Sequence, residues 1–397
     1  MTAMTNDRNR WLLPAGIEEL LPERAWPVEA LRRRLIDHYA RAGYELVIPP
    51  MVEFVDSLLI GLGEDLDLRT FKIIDQLTGR LMGLRADMTP QMARIDAHAL
   101  AQEGVTRLCY LGSVLHTLPD GFAGSRSPMQ VGVELFGHSG VSSDLEVIGL
   151  MLDTLRIAGV RNVVLDLGHV GLYRAFAAQA GFDEATEDTV FDLLRRKALP
   201  ELDALLSSLG LPEYLAANLR LLARLNGGTA VLGAARERLS RPPEAVGAIL
   251  DHLDELLRRL RERHADVRFN IDLAELHGYR YQTGTVFAAY VPGRGEEIAR
   301  GGRYDEIGRV FGRARPATGF SADVRSLIEL GEAVSAPGGG ILAPDARGDA
   351  GLWSTILRLR DEGERVVCAL PGEPASRHGC DRQLVLRDGH WQIIELK

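Results

Sequence analysis

The stretches "RLCYLGSVLH" (residues 107–116) and "MQVGVELFGH" (residues 129–138) decide the fold of this chain. Each is a mainly apolar run of strand length, and the loop between them holds Pro119 and Gly121, which are typical of turns. We predict that the two strands pair antiparallel. Because side chains alternate along a strand, Gln130 and Glu134 project from the same face of the predicted sheet.

The segments before these strands predict a helix, a short strand and a hairpin. Apolar residues recur at helical spacing over residues 26–42. The strand-like "YELVIPP" that follows must end at Pro49 and Pro50, which lack the amide hydrogen that a sheet requires. Strand-like segments then flank the turn residues 75–79, and this pattern indicates a hairpin.

The segments after these strands predict further strands around a helical insertion. Residues 144–158 have a helical pattern, and "VRNVVLDLGH" is typical of another strand. Amphipathic patterns broken by Gly and Pro predict an all-helical insertion over about residues 182–264. Strands return in "VRFNIDLAEL", "YQTGTVFAAYV" and "EEIARGGRYD", and a helix is predicted from about Ala322.

A break in composition divides the chain. The segment "SAPGGG" at residues 335–340 is typical of a linker, and strand and helix patterns alternate after it. The sequence therefore predicts an α+β protein. A large domain over residues 1–330 has an antiparallel sheet flanked by helices, and a small C-terminal α/β domain spans residues 335–397.

The composition excludes several classes of protein. The net charge is −9 and the basic residues include only three lysines, so a surface for nucleic acid is not expected. The three cysteines follow no metal-ligand spacing and suit a reducing compartment. The apolar "WLL" after the polar first ten residues ends at Pro14, so we predict no signal peptide, no membrane span and a cytoplasmic location.

No sequence motif indicates a metal or a cofactor. The ten histidines show no HxxxH or HxxEH spacing, and neither GxSxG, GxxxxGK[ST] nor a strand-linked GxGxxG occurs. We therefore expect no bound metal and no cofactor.

Six motifs, taken together in their order along the chain, resemble those of a known protein family. They are "LRADMTPQ", "CYLGSVLHT", "MQVGVELFG", "GYRYQTGTVF", "ARGGRYDEI" and "GFSADVRSL". Together they resemble the class II aminoacyl-tRNA synthetases, specifically the histidyl-tRNA synthetase family, over about residues 10–330. The resemblance implies that the segment like "GYELVIPPMVE" forms a homodimer interface. A helix and strand packed inside one subunit would explain the same segment without a dimer.

The resemblance also implies that the ATP contacts of the family are lost. The family has an arginine for the α-phosphate where this chain has His116, and an acidic residue for adenine where it has Leu118. A neutral imidazole cannot make the two-pronged contact of a guanidinium. Further arginines of the family are replaced by His277 and Ser326. We therefore expect no catalytic residue and no aminoacylation.

The amino-acid side of the implied pocket is better kept. Positions that hold the histidine amino group in the family correspond to Asp87, Thr89, Gln130 and Glu134, and one tyrosine of the imidazole pocket corresponds to Tyr304. A second pocket tyrosine of the family is replaced by Gln282. These five residues are candidates for binding histidine. Alternatively, Gln130 and Glu134 only satisfy buried hydrogen bonds.

The tail completes the resemblance. Residues 335–397 hold eight Lys and Arg against nine Asp and Glu, so they give no phosphate-binding face for tRNA. A synthetase-like fold without ATP contacts and without a tRNA platform closely resembles the regulatory subunits of ATP phosphoribosyltransferase. The resemblance to that family implies that this chain forms a hetero-oligomer with the short-form catalytic subunit, which condenses ATP with phosphoribosyl pyrophosphate. It also implies that histidine is a candidate effector. An active histidyl-tRNA synthetase and a free-standing synthetase-like protein with another partner are the alternatives.

Overall fold

A computed structural model describes residues 11–59, 64–119, 124–274, 281–331, 339–345, 348–371 and 379–396. His277 lies outside these residues. Two compact units are present, Met1–Val334 and Ser335–Lys397. The helices are α1 Pro22–Arg41, α2 Val55–Leu58, α3 Glu64–Arg69, α4 Thr89–Arg94, α5 Val141–Ile157, α6 Val170–Ala180, α7 Glu184–Arg195, α8 Leu199–Ser208, α9 Glu213–Leu222, α10 Ala230–Arg238, α11 Glu244–Arg263, α12 Val324–Leu330 and α13 Ala350–Asp361. The strands are β1 Glu45–Leu46, β2 Val52–Phe54, β3 Lys72–Ile74, β4 Leu81–Leu84, β5 Thr106–Ser113, β6 Met129–Phe136, β7 Val164–His169, β8 Asn226–Gly227, β9 Arg268–Asp272, β10 Thr285–Tyr290, β11 Ala299–Arg303, β12 Ala317–Asp323, β13 Ile341–Ala343, β14 Val366–Cys368, β15 Arg382–Arg387 and β16 His390–Glu395.

The first unit is built on a nine-stranded sheet in the order β1-β5-β6-β12-β11-β10-β7-β9-β8. The predicted pair β5 and β6 is confirmed as antiparallel, with Leu108 opposite Glu134. Strands β5, β6, β12, β11, β10 and β7 are all joined by antiparallel pairing. The prediction of an antiparallel sheet needs one correction, because β1 pairs with β5 and β7 pairs with β9 in parallel.

One face of this sheet is covered by helices α1 and α5. Leu31, Leu35 and Tyr39 of α1 repeat at a spacing of four residues and are fully buried. They join a core that includes Val131 and Val133 of β6. Since residues alternate along a strand, the even-numbered residues of β6 project from the other face.

The predicted insertion is helical apart from one short strand. Helices α7 to α11 lie within it, but β8 adds two residues to the edge of the large sheet by pairing with β9. The prediction of an all-helical insertion is therefore wrong at this point, because a two-residue strand leaves no alternation to detect. Helix α6 and strand β12 were not predicted. No helix in the described ranges combines the length and the apolar character needed to span a membrane.

A separate three-stranded sheet, in the order β2-β4-β3, precedes the first candidate residues. The predicted hairpin is confirmed as β3 and β4, and Asp75 accepts hydrogen bonds across its turn from the Leu77 amide and the Thr78 hydroxyl. Strand β4 ends at Leu84, and the chain then continues directly to Asp87 and α4.

The second unit has its own core. A four-stranded sheet in the order β14-β13-β15-β16 packs one face against α13. Asp349 begins the helix by accepting a hydrogen bond from the Leu352 amide at 2.9 Å. Leu352, Ile356 and Leu359 lie on the buried side of this helix.

Candidate functional site

The carboxyl group of Glu134 is the centre of the candidate site. Glu134 lies on β6 and projects from the face opposite α1 and α5, and only 1% of it is exposed. Three hydroxyl groups donate to it, from Thr89 at 2.9 Å, from Tyr110 at 3.2 Å and from Tyr304. Burial raises the pKa of Glu134 to about 8, and the hydroxyl groups only partly oppose this effect. At pH 7 this carboxyl group is therefore mainly protonated.

Gln130 fixes the turn that brings Thr89 to this carboxyl group. Its side-chain nitrogen donates to Asp87 Oδ1 at 2.9 Å, and its side-chain oxygen accepts from the Met88 amide at 2.9 Å. Asp87 Oδ1 also accepts from the Thr89 amide at 3.1 Å. Direct hydrogen bonds thus connect Asp87, Gln130 and the Thr89 segment, and Thr89 continues the connection to Glu134.

The structure therefore brings all five candidate residues together. Each strand or turn supplies a group that faces the same space beside the sheet. The mutual hydrogen bonds are what a purely structural cluster would also show. Binding of histidine by these residues stays a prediction.

Two glycines form the floor of the site. Gly319 on β12 pairs with Glu134, and Gly302 on β11 pairs with Gly319. A Cβ atom on Gly319 would overlap the carboxyl group of Glu134, and one on Gly302 would lie 2.5 Å from Oε1 of Gln282. The absence of side chains at these two positions leaves room for the two polar groups.

The replaced ATP-contact residues that the structure describes are occupied with other bonds or exposed. His116 Nε2 lies 2.9 Å from the Ala86 carbonyl oxygen, and burial lowers the pKa of His116, so its imidazole is mainly neutral at pH 7. Leu118 is 61% exposed. Ser326 donates its hydroxyl to Asp323 at 2.8 Å, and Asp323 also accepts from the first amides of α12. These groups do not form a cationic phosphate site.

The arginines that remain nearby also have other partners. Arg85 donates to the carbonyl oxygens of Pro49 and Ser113, at 2.8 and 2.9 Å. Arg94 forms an ion pair with Glu53 at 2.6 Å. These bonds hold the chain around the small sheet in place. They leave neither arginine as a free replacement for the residue lost at position 116.

Two residues near the site were missed from the sequence. Tyr110 donates to Glu134 from the neighbouring strand. Its position on β5 could have revealed it, because the even-numbered residues of that strand project from the face that carries the site. Arg300 lies on β11 two residues before Gly302, and so on the same face. Partial burial lowers the pKa of Arg300, whose side chain is 47% exposed, but Tyr281 and the carboxylates of Glu297 and Asp87 outweigh this and raise it. The positive charge of Arg300 therefore acts on the side of the site where Asp87 lies.

The described residues include no group of three or more His, Cys, Asp or Glu side chains that could hold a metal ion.

Comparisons with known proteins agree with this architecture. The family model described as histidyl-tRNA synthetase matches residues 16–327, and the one described as ATP phosphoribosyltransferase subunit HisZ C-terminal domain matches residues 338–394. The ATP phosphoribosyltransferase regulatory subunit of Thioalkalivibrio sulfidiphilus is 56% identical over 394 residues, which cover 98% of this chain and 100% of that protein.

Solved structures give the same fold. An ATP phosphoribosyltransferase regulatory subunit/histidyl-tRNA synthetase from Bacillus halodurans has a TM-score of 0.80 and 28% identity, covering 93% of this chain and 95% of that chain. A chain of the ATP phosphoribosyl transferase (HisG:HisZ) complex from Thermotoga maritima has a TM-score of 0.57 and 17% identity, covering 74% and 96%. The second likeness concerns the fold alone.

Proposed function

The chain belongs to the family of ATP phosphoribosyltransferase regulatory subunits, and we propose that it senses histidine for that enzyme in the pocket around Glu134. It is a regulatory subunit in histidine biosynthesis and not itself an enzyme. An active histidyl-tRNA synthetase is not favoured, because His116 and Ser326 replace cations and are engaged in other hydrogen bonds.

The observation that carries the proposal is the contrast within one site. The groups that would meet ATP are a neutral imidazole, an exposed leucine and a serine bonded within its own helix turn. The groups that would meet an amino acid are joined around one buried carboxyl group. A buried acid is a suitable partner for an ammonium group once it gives up its proton. The site is therefore suited to bind an amino acid without activating it.

A second copy of the chain is the proposed partner of the β1 edge. Strand β1 is the first strand of the large sheet, and no strand of the described residues pairs with its outer edge. Leu46 and Ile48 at this edge are 44% and 78% exposed, and Trp26 on α1 is 52% exposed. A homodimer would cover these apolar side chains.

The tail unit, with a net charge of −1, supports our proposal that tRNA is not a ligand.

The catalytic subunit of ATP phosphoribosyltransferase, in its short form, is the proposed hetero-oligomeric partner. The two proteins would work in the cytoplasm. On mixing purified chains, we expect light scattering to report a mass above that of either protein, and phosphoribosyl-ATP formation to increase and become sensitive to histidine. An unchanged mass together with an unchanged rate would contradict the proposal.

Histidine binding is expected to release a proton. The pKa of Glu134 is raised to about 8, so the empty pocket holds this proton at pH 7.5, whereas an ammonium group favours the ionised carboxylate. Free imidazole is mainly neutral at pH 7.5 and contributes little to the release. Calorimetry in two buffers of different ionisation enthalpy measures the number of protons. We expect a value between about 0.5 and 1 per pocket, and zero would show that Glu134 does not change its charge.

A further inference from the structure

The second unit contains a cavity that the proposed function does not use. Its volume is about 430 Å³, which lies within the range of small-molecule pockets in proteins. It is lined by Pro344 and Asp345 after β13, by Cys368 and Ala369 at the end of β14, and by the first turns of α13. The cavity therefore lies where the two strands end and the helix begins.

The strand order gives this end of the sheet the position of a ligand site. Strand β13 pairs in parallel with β14 on one side and with β15 on the other, and α13 connects β13 to β14. The chain thus leaves β13 on one side and later returns on its opposite side. In open α/β sheets, ligands bind outside the carboxyl ends of the strands at such a reversal.

The side chains of the cavity favour a cation with a flat face. Leu352 and Ile356 are buried and form an apolar base, whereas the ring of Trp353 is exposed and can stack on a ligand. Asp349 Oδ1 accepts from the Leu352 amide at 2.9 Å, and Asp349 Oδ2 has no hydrogen-bond donor among the described residues. Asp345 has an interaction partner of its own, so Asp349 is the carboxylate that remains available. The described lining residues include no Lys, Arg or His.

An anionic ligand would fit this cavity poorly. The first amides of a helix commonly bind phosphate groups. At the start of α13, however, Asp349 already occupies the Leu352 amide, and its negative charge would repel a phosphate. The cavity therefore differs in charge from the nucleotide sites that occupy the same place in other α/β sheets.

We propose that the second unit binds a small organic cation with a flat guanidinium or protonated heteroaromatic group in this cavity. The flat group stacks on Trp353, and its N–H groups donate to Asp349. This site lies in a different unit from Glu134, so its tests do not depend on histidine binding.

Cys368 reports on the occupancy of the cavity. Its thiol is partly exposed and lines the cavity, whereas Cys380 lies beside Gly340, at the amino end of β13. Agmatine, which has a guanidinium and an ammonium group but no carboxylate, is the probe. We expect saturating agmatine to slow the alkylation of Cys368 by iodoacetamide about threefold or more, because thiol reactivity follows access, and to leave Cys380 unchanged. Peptide mass spectrometry of the full chain measures both rates. An unprotected Cys368, or equal protection by AMP, would overturn the assignment.

Two substitutions test the two contacts of the ligand. Asp349→Asn removes the charge and keeps the helix cap, because asparagine caps a helix as well as aspartate does. Calorimetry should show an agmatine affinity about fivefold lower, the loss expected for a partly exposed ion pair. Trp353→Leu keeps an apolar side chain and removes the aromatic face, and a similar loss of about fivefold is expected. Asp361→Asn, at the other end of α13, is the matched control and should keep the affinity of the parent.

The remaining outcomes separate this site from the pocket around Glu134. Equal agmatine affinity in the parent, Asp349→Asn and Trp353→Leu would overturn the inference. Glu134→Gln should keep the affinity of the parent for agmatine, and a loss in that variant would place agmatine in the first unit, which also overturns the inference. Protection of Cys368 in the parent protein provides the answer without any substitution.

Discussion

Replacing Asp144 by asparagine is expected to lower the free energy of unfolding by about 3–5 kcal/mol, the cost of breaking a buried ion pair from one side. Asp144 on α5 is fully buried and accepts from Arg303 at 2.7 Å. Its second oxygen accepts from Thr285 at 2.9 Å and lies 3.0 Å from His252 Nε2. One carboxylate therefore connects α5, two strands of the large sheet and the insertion. Asparagine keeps the shape and leaves the buried Arg303 guanidinium with Asp305, a partly exposed partner at 3.3 Å, in place of its buried counter-charge.

The loss should depend on pH in a defined direction. Burial tends to raise the pKa of Asp144, but His252 and Arg303 outweigh it, and the pKa lies below its usual value. The stabilising effect of the carboxylate is therefore present above its unfolded pKa, near 4, and is lost as the pH falls through the lower folded pKa. Urea unfolding at pH 7.5 should give the full loss, with a smaller loss toward pH 3.

Asp192→Asn is the matched control. Asp192 pairs with Arg195 and Arg196 on the exposed side of α7, and such surface pairs contribute little. Its unfolding midpoint should stay near that of the parent. A similar loss in both variants would mean that burial does not determine the strength of the Asp144 pair.

The sequence predicted most of the elements of the large sheet because their patterns are long. Eight-residue strands such as β5 and β6 show their apolar character over enough positions to be recognised. Strand β8, with two residues, has no pattern of its own and depends on its partner β9. Strand β12 contains Gly319 and precedes a helix directly, so its "GFSAD" segment carried a motif but no clear strand signal.

The candidate site could be predicted only in part for a similar reason. Alternation along one strand placed Gln130 and Glu134 on the same face. Which residues meet across strands depends on register, and register is set by the whole sheet. Tyr110 therefore became visible only once the strands were paired. The ordered motifs supplied the remaining members of the site, because they implied a known arrangement in space.

Replacing Glu134 by glutamine is expected to weaken histidine binding by the assembled complex roughly thirtyfold, which corresponds to about 2 kcal/mol. Glutamine keeps the shape of the side chain and removes the charge that, under the proposed function, faces the ammonium group of histidine. The parent affinity should rise from pH 6.5 to pH 8, because the raised pKa of Glu134, about 8, makes the carboxylate increasingly available over this range. The variant should lack most of this rise. Calorimetric titrations at several pH values measure both effects.

Stability and coupling give two further tests of the same substitution. A carboxyl group whose folded pKa is raised is stabilising below its unfolded pKa, near 4.5, and this stability is lost as the pH rises through 8. The neutral glutamine escapes that loss, so the variant should unfold no earlier than the parent at pH 8.

Because histidine can inhibit only through its different affinities for two states of the complex, weaker binding must also raise the histidine concentration that half-inhibits phosphoribosyl-ATP formation. His116→Ala, which changes a neutral residue bonded to the backbone, should alter the histidine affinity much less. An unchanged affinity in Glu134→Gln would move the regulatory site out of this pocket, and the contact with the catalytic subunit would then be the surface to test.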